Sequence, residues 1–185
     1  MKYPVSNWFK NRLKLFQNKK KVAPSPFMRV SYCSPRQVVL LTARQNDAEN
    51  IWPIDWHMPV SIDPELYAVS LNPGYGEELI RASGSFVVNF VPASWEQIIF
   101  YCGKTSGQRE DKFFETKLQK KEAQMVNAPC LSEALGILEC KVIQDITVGD
   151  HFLFIAEVLH ATLQLDAPRL HHIDVSLSEI ADSFE

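Results

Sequence analysis

Asn50-Ile51-Trp52-Pro53-Ile54-Asp55-Trp56-His57-Met58-Pro59-Val60-Ser61-Ile62-Asp63-Pro64 is the stretch that decides how this chain is read. Two tryptophans, a histidine and a methionine fall within the seven residues 52–58, among prolines at 53, 59 and 64. Proline fixes φ at roughly −65° and carries no N–H, so Pro53 and Pro59 are expected to keep the segment out of a helix or a regular central strand. Such a segment holds backbone N–H and C=O groups free of a ladder, beside flat aromatic rings. That combination suits a large planar heterocycle whose edge carries donors and acceptors. An aromatic-rich corner of the hydrophobic core is the competing reading of the same residues.

Around this stretch the hydrophobic pattern is mostly that of strands. Gln37–Ala43, Leu66–Leu71 and Ser85–Val91 are apolar and β-branched, and Leu135–Ile146 and His151–Leu163 read as long strands joined by a hairpin at residues 147–150. The intervening helices are short: Glu77–Ala82 stopped by Gly84, a helix capped by Ser94 running through Tyr101 and ended by Gly103, and a third within Gln108–Thr116. Pro73–Gly76 reads as a turn. Neither a βαβ alternation, a GxGxxG fingerprint nor a Walker loop is present, so a nucleotide would sit on a barrel surface and not in a Rossmann crevice. The fold class this predicts is mainly β with short helices, in a small closed or partly open barrel.

Charge is distributed unevenly. The 185 residues carry a net charge of −3, yet the first 45 contain no Asp or Glu and hold ten of the 19 Lys and Arg. Residues 1–26 read as a basic arm, a short helix with Trp8, Phe9, Leu13 and Phe16 at helical spacing followed by a breaker-rich linker. Residues 27–164 read as the body and residues 165–185 as a tail packing on the domain or a dimer mate. The overall balance gives no basic footprint for nucleic acid, the arm reading as a segment that packs on its own domain or a dimer mate, with a membrane-surface or nucleic-acid role as the alternative; no apolar run has the ~18 residues needed to span a bilayer. Cys33, Cys102, Cys130 and Cys140 are widely spaced without a CxxC pair, which argues against zinc or an iron–sulfur cluster and for free thiols in a cytoplasmic setting. Cys102 as a redox thiol, and His171 and His172 with Asp174 as metal ligands, are weaker candidates than a packed thiol and a polar tail.

The segment from Asn50 resembles the flavin reductase-like, flavoredoxin-type group of FMN-binding split-barrel proteins, with Asn50, Pro53, Trp56, Pro59, Val60, Ser61, Asp63 and Pro64 on that group's pattern. Downstream, residues 78–84 and 86–90, Tyr101–Gly103, Ser106–Gly107, Asp111–Phe113 and residues 149–158 follow in the group's order. The resemblance covers about Ser31–Ala161. It implies a homodimeric Greek-key split barrel holding FMN non-covalently near the dimer interface. It also implies oxidoreductase activity with NAD(P)H as co-substrate, or else an electron carrier served by a redox partner protein. A scaffold that has lost its flavin is the third alternative. The cofactor positions it implies are Asn50, Pro53, Ile54, Asp55, Trp56, Tyr75, Gly76, Ser106, Lys112, His151 and, from the tail, Phe184; it implies no catalytic side chain. Lys112 is expected to face the phosphate or the N1–O2 side of the ring, against a solvated surface lysine. Two departures stand out. Tyr75 and Gly76 occupy a loop where relatives carry a hydroxyl for the phosphate, leaving that role to backbone N–H groups at the following helix. Asp55 stands where relatives carry a small neutral residue, and a carboxylate there would reach the ring N3–H or disfavour the anionic reduced flavin.

Overall fold

The structure, a computed structural model, describes Cys33 and residues 35–164, 166–173 and 176–179, the last four and Ile173 as backbone only. The chain divides into two units, Met1–Cys33 and Ser34–Glu185; every element below belongs to the second. The basic arm of residues 1–26 and Phe184 lie outside the described residues.

Twelve strands are described: β1 (Arg36–Gln37), β2 (Val39–Gln45), β3 (Ala48–Ile54), β4 (His57–Ile62), β5 (Glu65–Leu71), β6 (Ser85–Phe90), β7 (Lys120–Glu122), β8 (Pro129–Leu131), β9 (Gly136–Val148), β10 (His151–Leu163), β11 (Leu170–Ile173) and β12 (Ser176–Glu179). Three α-helices, α1 (Tyr75–Ser83), α2 (Glu96–Lys104) and α3 (Lys112–Thr116), accompany them. Seven strands form one sheet in the order β3-β2-β6-β9-β10-β5-β4. Consecutive strands β3 and β4 therefore occupy its opposite edges, with only Asp55 and Trp56 between them. A flat sheet of that order would be about 29 Å wide, whereas the Cα atoms of Ile54 and His57 lie no more than roughly 11 Å apart. The sheet must roll until its two edges meet at Asp55–Trp56.

Rolling gives β2 and β6 two covered faces, which is why both read as nearly unbroken apolar runs. Val39, Leu41, Phe86 and Val88 point inside the roll with Val69, Phe154, Ala156 and the α1 residues Leu79 and Ile80. Leu40, Val87 and Val91 point outward, under Trp95, Ile99, Phe113 and Leu131. The outer layer is also pinned by a buried amide: Asn89 Nδ2 donates to the Leu40 carbonyl and Oδ1 accepts from Leu131 N–H at 2.9 Å.

Several expectations need correction. Pro53 and Pro59 stay out of a helix and of a central strand, as expected, but they lie within regular edge strands, β3 and β4. The Ile51 carbonyl faces away from the ladder, toward Lys112, so Pro53, two residues on, also faces the free edge, where its missing N–H costs no pairing. Gly103 does not end its helix, which runs to Lys104; a Cβ there would lie 3.2 Å from Pro53 Cγ, so glycine serves close packing of α2 on β3. The helix expected within Gln108–Thr116 is only α3, capped by Asp111, whose carboxylate accepts from Phe113 and Phe114 N–H. Within residues 165–185, where the sequence carries little strand signal, β11 pairs with β1 and β12 in a separate three-stranded sheet. Gly84 does close α1 as expected, in the left-handed region at φ 67°.

His57 couples that small sheet to the rolled one. Its Nε2 lies 2.9 Å from the Gln37 carbonyl, which can only accept, so Nε2 carries the proton. Nδ1 then accepts from the Tyr67 hydroxyl at 2.6 Å. Burial lowers the His57 pKa from its ordinary 6.5, so the folded protein binds this proton later than the unfolded chain on acidification. Stability is untouched above pH 6.5 and is lost as the pH falls below it toward the lowered folded value. Urea titrations from about pH 7 to about pH 5 are expected to show a smaller loss of stability in His57→Gln than in the parent. Equal slopes would remove His57 from the pH response.

Candidate functional site

β3 organises most of the positions singled out above. Along its free edge the α2–α3 loop packs closely. A Cβ on Gly107 would lie 2.1 Å from Asn50 Oδ1, so only glycine lets the loop approach. Asn50 is 4% exposed and its Oδ1, though buried, has no hydrogen-bond partner among the described residues. Ser106 shapes the same loop, its hydroxyl accepting from Gln108 N–H and its carbonyl from Arg109 N–H. Lys112 is no solvated lysine. It is buried, its ammonium donates to the carbonyls of Ile51 (2.9 Å) and Cys102 (2.8 Å), and burial lowers its pKa. It thereby ties the edge of β3 to the end of α2.

On the inner face of β3, Trp52 and Ile54 pack against the inner core, as does Tyr75 at the start of α1. A Cβ on Gly76 would lie 2.5 Å from Trp52 Cε2. The missing side chain at Gly76 is thus dictated by Trp52, a reason invisible while the two were read as separate motifs. α1 has no side-chain N-cap, so its first-turn N–H groups lack a protein side-chain acceptor. Of the two acids in that turn, Glu77 is buried and paired with Arg81, while Glu78 is exposed.

At the far end of β3 the indole of Trp56 stacks on His151, centroids 4.7 Å apart and planes 17° from parallel. Trp56 is 37% exposed. His151 is held in turn by Asp150, Nδ1 to Oδ1 2.7 Å. Asp55 is not the uncompensated carboxylate expected beside a ring: its Oδ2 receives Arg36 Nε at 2.9 Å and His172 Nδ1 at 2.6 Å. Sequence reading gave no site role to Arg36, Trp52 or Gly107 and considered His172 only as a metal ligand; a strand register for residues 36–37 and 170–173 would have been needed to pair Arg36 and His172 with Asp55.

Of the weaker candidates, Asp174 lies outside the described residues, so the His171–His172–Asp174 group is not described in full. Burial pushes the Cys102 thiol up to about 11, which leaves it protonated and unreactive near neutrality. Among the described residues no group of three His, Cys, Asp or Glu is placed to hold a metal. Nor is any helix among them long and apolar enough to cross a membrane.

With this geometry in hand the chain can be compared with known proteins. Residues 31–180 match the family described as the flavin reductase like domain, so the chain belongs to the flavin reductase-like family. It is 31% identical to an uncharacterized protein of Archaeoglobus fulgidus over 134 residues, 72% of this chain and 75% of that one. An FMN-binding protein from Thermus thermophilus with bound p-hydroxybenzaldehyde superposes with TM-score 0.78 at 20% identity, covering 90% of this chain and 98% of that one. An NADH:FAD oxidoreductase of Streptomyces globisporus superposes with TM-score 0.78 at 19% identity, covering 88% and 99%. At such identities the two structures speak for the fold alone.

Gly76 offers a direct test of the site's packing. Gly76→Ala is expected to lower stability by roughly 1–3 kcal/mol through overpacking on the indole. Adding Trp52→Phe to Gly76→Ala should restore part of that loss in urea unfolding. No cost for the single change, or no recovery in the double, would mean that Trp52 does not set residue 76.

Proposed function

We propose that this chain binds FMN non-covalently along the free edge of β3, between the α2–α3 loop and the Trp56 corner, and reduces it with NAD(P)H. The observation that carries the reading is the convergence of Asn50, Pro53, Ser106 and Lys112 on one edge strand whose far end presents Trp56 and His151. The fit to a flavin rests on three features: a buried amide oxygen at Asn50 that lacks a donor, an uncapped α1 whose N–H groups suit a phosphate, and a partly exposed indole for a planar ring. When bound, FMN supplies the hydride and electron chemistry.

The protein's own residues bind and orient. Asn50 offers its orphan acceptor to a ring N–H. Lys112 acts from below, holding the Ile51 segment and keeping a buried cation behind the edge where negative charge develops on reduction. The N-terminus of α1 takes the phosphate role that a hydroxyl at Gly76 would otherwise fill. Asp55, neutralised by Arg36, puts no unbalanced negative charge beside the ring. No side chain acts as general acid or base in this reading. The rolled sheet is then a split barrel, and the chain a homodimer. The exposed apolar side chains of β4 (Met58, Val60, Ile62) and outer β9 (Ile143, Ile146, Val148) support a second copy as their cover. The buried free thiols of Cys102, Cys130 and Cys140 fit a reducing cytoplasm.

An electron carrier reduced by a partner protein is the second reading; steady-state oxidation of NADH and NADPH by the purified protein with FMN separates the two. Titration with FMN, riboflavin and FAD tests the site itself. FMN is expected to bind at micromolar affinity or better and more tightly than riboflavin, because the phosphate adds charge-assisted hydrogen bonds. Trp56→Ala should weaken FMN by about 1–3 kcal/mol with the fold intact. Equal affinity for FMN and riboflavin would deny a phosphate site, and no flavin binding at all would return the chain to a scaffold.

A further inference from the structure

The residues on either side of Trp56 are both gripped by the small β1-β11-β12 sheet. Asp55 Oδ2 takes hydrogen bonds from Arg36 on β1 and from His172 on β11, and those two residues face each other in the β1–β11 register. On the other side, His57 donates to the carbonyl of Gln37, also on β1. The His172 Nδ1 that lies 2.6 Å from the Asp55 carboxylate is also 3.2 Å from Arg36 Nη2. A nitrogen that close to a carboxylate oxygen carries a proton, so it gains nothing from the guanidinium; the carboxylate is what holds the imidazole in place. All three side chains are largely shielded from water, at 14% exposure for Arg36, 23% for Asp55 and 28% for His172. Among the described residues Trp56 is tied by its carbonyl, which accepts from Ser70 N–H, and by its stack on His151.

We propose that Arg36 and His172 are positioning residues of the flavin site. Through Asp55 they fix the two-residue turn so that the Trp56 ring lies flat on His151, and they cancel the Asp55 charge beside it. The role in flavin binding rests on the reading above; the positioning of Trp56 does not need a flavin to be observed. The C-terminal strand is then part of the site, although His172 stands 117 residues beyond Asp55. Losing the His172 donor leaves a shielded carboxylate with one partner fewer and frees one side of the turn.

The experiment compares the full chain with His172→Leu and with His172→Asn, whose amide returns an N–H near the place of Nδ1. The first readout is taken without flavin. Trp56 near-UV circular dichroism, obtained as the difference between each protein and its Trp56→Phe counterpart, reports an indole held in one orientation on the His151 ring. The parent and His172→Asn are expected to show this signal and His172→Leu to lose most of it. The second readout is FMN affinity, expected to fall about tenfold or more in His172→Leu and to stay within about threefold in His172→Asn. If His172→Leu does not fold, Asp55→Asn takes its place, with the same losses expected. A folded His172→Leu or Asp55→Asn that keeps both the dichroism signal and the parent affinity overturns the proposal. If the parent binds no flavin, the functional reading falls on its own, while the dichroism readout still decides whether His172 positions Trp56.

Discussion

Two residues, Asp55 and Trp56, connect the opposite edges of a seven-stranded sheet, and the rest of the molecule follows from that short tether. It rolls the sheet, which creates an inside for Phe86, Phe154 and the plug of α1, and an outside for the layer under α2 and α3. It also turns the prolines at 53 and 59 from breakers into edge residues. A tether of this kind stores its consequences at one corner. There the small sheet grips Asp55 and His57, and there the only large ring facing water within the turn, Trp56, finds a histidine to lie on.

The free edge that the roll leaves on β3 is managed without a further strand. Lys112 takes the outward carbonyl of Ile51, Pro53 presents no N–H, and the α2–α3 loop closes over Asn50 because residue 107 has no side chain to object. Buried cations are costly unless their donors are satisfied, and here two backbone carbonyls take two of the three N–H donors of Lys112. The edge is thereby protected from pairing with another chain while the buried Asn50 oxygen is left unpaired.

Much of this was legible in the sequence, and what was not has physical reasons. The long strands β9 and β10, the run of β6 and the helix stop at Gly84 announce themselves by period and by turn residues. The clustering of Asn50, Pro53, Trp56 and Lys112 was legible only through the family resemblance. The role of Lys112 was not, because a lysine's burial depends on which carbonyls the fold brings to it. Gly103 looked like a stop, Gly76 like a missing group, and Gly107 was only one piece of the resemblance, whereas each answers a side chain distant in sequence: Pro53, Trp52 and Asn50. Strands β1 and β11 were missed because two and four residues carry no periodicity, and with them went Arg36 and His172. Asp55 was therefore read as a bare charge when it is one member of a trio.

The central claim is that the free edge of β3 and its Trp56 corner form the flavin surface of this protein. A crystal structure of the chain with FMN tests it most directly. The account requires the ring along that edge with Asn50 Oδ1 within hydrogen-bond reach, Trp56 in contact, and the phosphate at the first turn of α1. A flavin seated instead in the hollow lined by Phe90, Leu138, Leu163 and Arg169, with Asn50 Oδ1 still unpartnered, would contradict it.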